Sequence, residues 1–85
     1  ETIITIIALP FVFVISDIPA ERALLIGSLF IVIIAELANT AIEATINRIS
    51  LEIHPLSKKA KDVGSAAVFV AIVNALLIWL VVLWN

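Results

Sequence analysis

One stretch of an otherwise strongly apolar chain is dense in oxygen-bearing side chains: Glu36-Leu37-Ala38-Asn39-Thr40-Ala41-Ile42-Glu43-Ala44-Thr45-Ile46-Asn47. On a helix turning about 100° per residue, Glu36, Asn39, Thr40, Glu43 and Asn47 share an arc of about 100°. The two carboxylates are two turns apart, about 10 Å along the axis. A carboxylate near the middle of a membrane helix costs roughly 2.5–3.5 kcal/mol on insertion scales, so a pair on one face calls for a compensating role. Asn39 and Thr40 alone read as groups that hydrogen-bond neighbouring helices. The glutamate pair reads as functional, because ionisable residues facing a bundle interior mark sites of chemistry or transport.

The spacing suits phosphoryl transfer. A hard cation such as Mg²⁺ takes carboxylate and amide oxygens, keeps several waters and shares a substrate phosphate; Glu43 and Asn39 offer such oxygens. Glu36, one or two turns deeper, is placed to take a proton from a hydroxyl in line with a phosphate. Further on, Lys61 supplies a compact cation for phosphate oxygens, with Asp62 next to it and Ser65 on the same side of a helix. Other chemistries are excluded by absence. With only Gly27 and Gly64 there is neither a P-loop nor a G-x-G-x-x-G motif. With no cysteine and one histidine, zinc is not expected. Taken alone, His54 beside Pro55 reads as a solvated turn residue. Lys58 and Lys59 read equally well as a topology signal that attracts anionic lipid.

These residues must be carried by membrane elements. The 85 residues are 64% hydrophobic and 14% charged, where a soluble domain has about a quarter charged. A small domain has too little interior to hide that much apolar surface. The net charge of −2 argues against a nucleic-acid binder. Apolar runs over residues 2–15, 23–46 and 63–84 predict three spans, the last two about 36 and 33 Å long as helices, against a hydrocarbon core of about 30 Å. The first, about 21 Å, is too short to span alone. The chain has no methionine and opens on Glu1-Thr2, so it is expected to begin partway along a first membrane helix. Ser16 or Asp17 is expected to cap the second helix with Pro19 in its first turn. In the connection over residues 47–62, Pro55 is expected to end the second helix at or before His54, and Ser57 to cap the third. Arg48, Lys58, Lys59 and Lys61 place that connection in the cytoplasm by the positive-inside rule, and the C-terminus, with Trp79 and Trp84, towards the far interface.

At the same residues the chain resembles the bacterial integral-membrane diacylglycerol kinases. The resemblance rests on Glu36 through Ala44, on Arg48-Ile49-Ser50 and Glu52-Ile53-His54-Pro55-Leu56-Ser57, and on Ala60-Lys61-Asp62-Val63-Gly64-Ser65-Ala66-Ala67-Val68. It covers nearly all of the second and third spans; the first matches only in character and position. It implies an all-α integral membrane fold with three transmembrane helices per subunit, assembled as a homotrimer in the bacterial inner membrane. The implied activity is transfer of a phosphoryl group from MgATP to the hydroxyl of diacylglycerol, giving phosphatidic acid. Carried over residue by residue, the resemblance makes Glu36 the general base and Glu43 a metal ligand with Asn39 beside it. Glu43, Glu52, Ile53, His54, Lys61 and Asp62 fall at the nucleotide, and Glu36, Asn39, Ser65 and Trp79 at the lipid.

One departure stands out. The family carries an amphipathic surface helix before its first span, which supplies basic residues and another metal-binding glutamate; the 85 residues are expected to open after the place of that segment, so Glu1 is not expected to take its role. Relatives that phosphorylate undecaprenol use much the same motif, though Gly64-Ser65-Ala66-Ala67 leans toward the diacylglycerol type. Two readings from other classes compete. A proton- or cation-coupled transporter subunit would use Glu36 alone and would have no need of Glu43 or the Lys61-Asp62 pair. A purely structural assembly subunit would need none of them for chemistry.

Overall fold

The computed structural model describes residues 2–49 and 55–84, and every element among them is helical. Helix α1 (Thr2–Ala8) passes through a 3₁₀ turn (Leu9–Phe11) into α2 (Val12–Ile15); then come α3 (Pro19–Ile49) and α4 (Pro55–Trp84). The break lies at Pro10, which has no N–H to give and whose ring crowds the carbonyl four residues back. Tightening to 3₁₀ is the local remedy, and the Val12 N–H points to the carbonyls of Leu9 and Pro10.

Among the described residues two helices, α3 and α4, are long and apolar enough to cross a membrane, with mean hydropathy of 2.1 and 2.8 over their most apolar stretches. The core helix of a soluble protein would pass the same test, but it would be mostly buried. Here only 22% and 11% of those stretches are. The first of the three expected spans is a short apolar segment, Ile3–Ile15, which does not reach the length of the other two.

Both long helices also run past the predicted spans. Hydropathy marks where lipid contact ends, whereas helical hydrogen bonding continues into water: α3 starts at Pro19 and holds to Ile49, and α4 starts at Pro55. At 1.5 Å per residue each is about 45 Å long, roughly 15 Å more than a hydrocarbon core. Ser57 is therefore not a cap. Pro55 opens α4, where its fixed φ and missing N–H are an advantage, and Ser57 lies inside the first turn. Residues 47–49 and 55–62, expected in a loop, are helical, so Lys58, Lys59, Lys61 and Asp62 ride on α4.

The packing is inverted relative to a soluble bundle. Large apolar side chains such as Ile34, Leu37, Phe69 and Leu80 are exposed, while Ser28, Gly64, Ala71 and Ala75 are buried along the α3–α4 seam. Small residues let two backbones approach when lipid is as apolar as any side chain. Beneath this seam Val12 packs with Leu25, Leu29 and Val82, tying α2 to both long helices.

The turn between α2 and α3 is fastened by polar contacts. Ser16 Oγ donates to Glu21 Oε1 at 2.6 Å and accepts the Ile18 N–H at 3.1 Å, so Ser16, of the two expected caps, holds the entry to α3. Arg22 folds back: its Nε donates to the Ser16 carbonyl at 2.6 Å, and its guanidinium lies 4.9 Å from the centre of the Phe13 ring. Its ion pair with Asp17, at 3.3 Å, reaches a carboxylate that is 99% exposed. Exposed pairs contribute little, so the carbonyl bond and the ring contact carry the stabilisation. Arg22→Ala is expected to cost about 1–3 kcal/mol, and Asp17→Ala less than about 1. Reversible unfolding in detergent, followed by circular dichroism, measures both; equal losses would contradict this ranking.

Candidate active site

The polar stripe read from the sequence lies on one unbroken helix, α3, which fixes the spacing of its members. Glu36 and Asn39 are partly buried; Thr40, Glu43 and Asn47 are exposed toward the end of α3 that faces the start of α4. Asn39 Nδ2 donates to Glu43 Oε1 at 3.4 Å, a long bond that links successive turns of the stripe. On the other side of the same amide, Asn39 Oδ1 is buried and has no hydrogen-bond partner among the described residues.

Helix α4 meets this stripe at two levels. Gly64 is buried against Asn39: a Cβ built at Gly64 would collide with Asn39 Oδ1. Nearer the helix ends, Lys61 Nζ donates to Asn47 Oδ1 at 2.7 Å. The phosphate-binding cation expected on α4 is thus tied to the stripe on α3. Asp62 and Ser65 are exposed on α4. Trp79 lies apart, 18 residues from Lys61 and so about 27 Å along the helix. Its Nε1 donates to Ser28 Oγ at 3.2 Å, and Ser28 in turn donates to the Leu25 carbonyl at 2.7 Å. Glu52, Ile53 and His54 lie outside the described residues.

Between the stripe and Trp79 is an apolar cavity of about 250 Å³. Ile4, Thr5 and Ala8 of α1 wall one side, Leu29 and Val32 come from α3, and Ile72, Ala75, Leu76 and Trp79 from α4. Val32 is one helical turn from Glu36, so the cavity begins just below the deeper carboxylate. Trp79 stands at its far end.

Oxygen donors suit a hard cation. Among the described residues, however, no three His, Cys, Asp or Glu side chains gather as a metal cage. Within the stripe, Glu43 is the exposed carboxylate, oriented by Asn39. That donor fits a Mg²⁺ shared with substrate phosphates, which needs only one or two carboxylates.

Three contributors were not singled out from sequence. Asn47 was legible as a member of the stripe, but its tie to Lys61 was not. Gly64 was legible as one of two glycines and as part of the Gly64-Ser65-Ala66-Ala67 stretch, but its contact with Asn39 was not, although a glycine inside an apolar helix is itself a sign of close helix approach. Ser28 gave no signal beyond being a small polar residue in a span.

Comparison with known proteins bears on the same residues. Residues 1–83 match the model of a family described as prokaryotic diacylglycerol kinase. The chain is similar to the diacylglycerol kinase of Pseudomonas aeruginosa, 46% identical over 81 residues that make up 95% of this chain and 66% of the relative. It is similar to that of Escherichia coli K12, 52% identical over 64 residues, 75% of this chain and 52% of the relative. The Haemophilus influenzae enzyme of the same name is 38% identical over 79 residues, 93% and 67% of the two chains. The chain thus spans about half to two thirds of the length of these curated relatives.

The link between Trp79 and Ser28 makes a measurable claim about the cavity wall. Trp79→Phe and Ser28→Ala, alone and combined, are expected to show a coupling of about 0.5–1.5 kcal/mol in a double-mutant cycle of unfolding in detergent. Strict additivity would mean that the bond contributes nothing.

Proposed function

The chain belongs to the prokaryotic diacylglycerol kinase family, and from that premise we propose that it forms the membrane core of a lipid kinase. The reaction is transfer of the γ-phosphoryl group of ATP to the hydroxyl of diacylglycerol, giving phosphatidic acid. The observation that carries this reading is the stripe on α3, with a deep carboxylate, Glu36, and a shallower one, Glu43, about 10 Å apart along one helix. Lys61, tied to Asn47 at the same end of the bundle, adds the cation.

Each group then has a task. Glu36 accepts the proton of the lipid hydroxyl as that oxygen bonds to the γ-phosphorus and the bond to ADP breaks. Glu43, oriented by Asn39, is the chain's ligand to Mg²⁺. The ion, when bound with the nucleotide, neutralises charge on the phosphates. Lys61 lies where an ammonium offsets charge on the transferring group. Asp62, Glu52, Ile53 and His54 complete the nucleotide side, and Ser65 joins Asn39 on the lipid side. The cavity below Glu36 supplies apolar room for the part of the lipid next to its hydroxyl, with Trp79 as its far wall.

The membrane reading follows the same logic. A lipid substrate arrives sideways through the bilayer, so its base belongs on a membrane helix. The chain is an inner-membrane protein with Lys58, Lys59 and Lys61 on the cytoplasmic side, where ATP is present, and the C-terminus toward the periplasm. The short α1–α2 segment belongs to the first of the subunit's three spans and is broken at Pro10. A homotrimer accounts for the exposed groove on the other face of the α3–α4 pair, whose walls include Ala35, Ala38, Ala66, Ala67 and Asn74. Small and polar residues of this kind are typical of helix contacts in lipid.

Two substitutions in the intact protein test the assignment. Glu36→Gln is expected to lower ATP-dependent phosphorylation of diacylglycerol by about 10²–10⁴-fold while leaving assembly intact. Turnover near the parent's would remove Glu36 as base. Glu43→Gln is expected to shift the Mg²⁺ dependence of the rate, and an unchanged Mg²⁺ titration would take Glu43 out of the metal site. Undecaprenol offered in parallel separates the two lipid classes, and a proteoliposome that moves protons or cations without forming phospholipid would favour the transporter reading instead.

A further inference from the structure

We infer that Gly64 is a positioning residue for the Glu43 carboxylate, acting through the Asn39 side chain. The inference rests on the reading of Glu43 as a metal ligand and deepens it.

Gly64 is not a glycine for backbone reasons. It lies inside α4, and the structure has no glycine at positive φ among the described residues. What distinguishes it is space. A Cβ at Gly64 would collide with Asn39 Oδ1 and come within 3.3 Å of Asn39 Cγ, whereas its approach to Ile42 Cδ1, at 3.6 Å, is an ordinary contact. The obstacle is therefore the amide alone. Gly27, the other glycine, has nothing within 4 Å of its built Cβ.

The amide is planar, so its two ends move together. Oδ1 fills the notch left by the missing Cβ, and Nδ2 faces Glu43 Oε1 at 3.4 Å. Turned over, the amide would set its oxygen against a carboxylate and its N–H₂ into the notch, pairing two acceptors. The orientation with N–H toward Glu43 is the one that suits an ionised carboxylate. Alanine at residue 64 expels Oδ1 from the notch and swings Nδ2 away, so that Glu43 loses the donor that orients it. Partners that orient a metal ligand typically contribute 10–100-fold to metal affinity.

The test is Mn²⁺ binding, by electron paramagnetic resonance, to the intact protein in lipid-detergent micelles with a non-hydrolysable ATP analogue. Gly64→Ala is expected to weaken Mn²⁺ binding by about tenfold, the low end of that range because the Asn39–Glu43 bond is long. Gly27→Ala, the same change without a neighbour, binds as the parent does. Combining Gly64→Ala with Asn39→Ser removes the collision and restores any lost thermal stability, but leaves Mn²⁺ binding weak because the amide is gone. If Gly64→Ala does not fold, Asn39→Ala with Gly64 retained is expected to show the same weakening. Parent-like binding in Gly64→Ala or in Asn39→Ala overturns the inference, as does recovery of binding in the double variant or a parent that binds no Mn²⁺ with the nucleotide. A parent that binds Mn²⁺ and nucleotide but phosphorylates no lipid removes the kinase reading, while the variants still decide the role of Gly64.

Discussion

A polar side chain within an apolar helix pair must find its partner inside the protein, since hydrocarbon offers none. Much of the α3–α4 seam follows from that constraint. Trp79 gives its N–H to Ser28, which passes its own hydrogen to the Leu25 carbonyl. Nearer the ends of the two helices, where side chains are exposed, Lys61 reaches Asn47 across the same seam. The one buried side-chain oxygen left without a donor among the described residues is Asn39 Oδ1, in the middle of the polar stripe on α3. Unsatisfied atoms of this kind are costly where they serve only packing, and their persistence points to a site.

The seam uses small residues for a related reason. When the surroundings are as apolar as the side chains, burying a leucine gains little, and close backbone approach becomes the main source of helix association. Ala71, Ala75, Ser28 and Gly64 provide that approach, while many large side chains, such as Ile34, Leu37, Phe69 and Leu80, stay outside. The same approach brings a second helix within reach of the stripe, so packing and site construction share one set of contacts.

Much of this was legible in the sequence. The stripe was visible because glutamate and asparagine at helical spacing contrast sharply with an apolar background, and α3 proved continuous throughout it. The α2–α3 turn was legible from Ser16, Asp17 and Pro19. What remained hidden has physical causes. Hydropathy reports the solvent around a helix rather than its hydrogen bonds, so the extensions to Ile49 and from Pro55 were read as loop. Arg22 counted only as one topological charge, and its clasp on Ser16 and Phe13 is a tertiary fact. The Asn39–Gly64 and Asn47–Lys61 contacts join residues 25 and 14 positions apart, beyond the reach of any periodicity. Pro10 broke the first helix where its apolar pattern alone suggested continuity.

The continuity of α3 has one more consequence. Glu36 and Glu43 stand on a single uninterrupted rod, with no glycine, proline or 3₁₀ turn between them. Their separation along the axis is then a fixed gauge, set by the rise of the peptide backbone and insensitive to side-chain packing elsewhere. Any substrate that uses both must span that gauge, and adjustment has to come from the opposing helix.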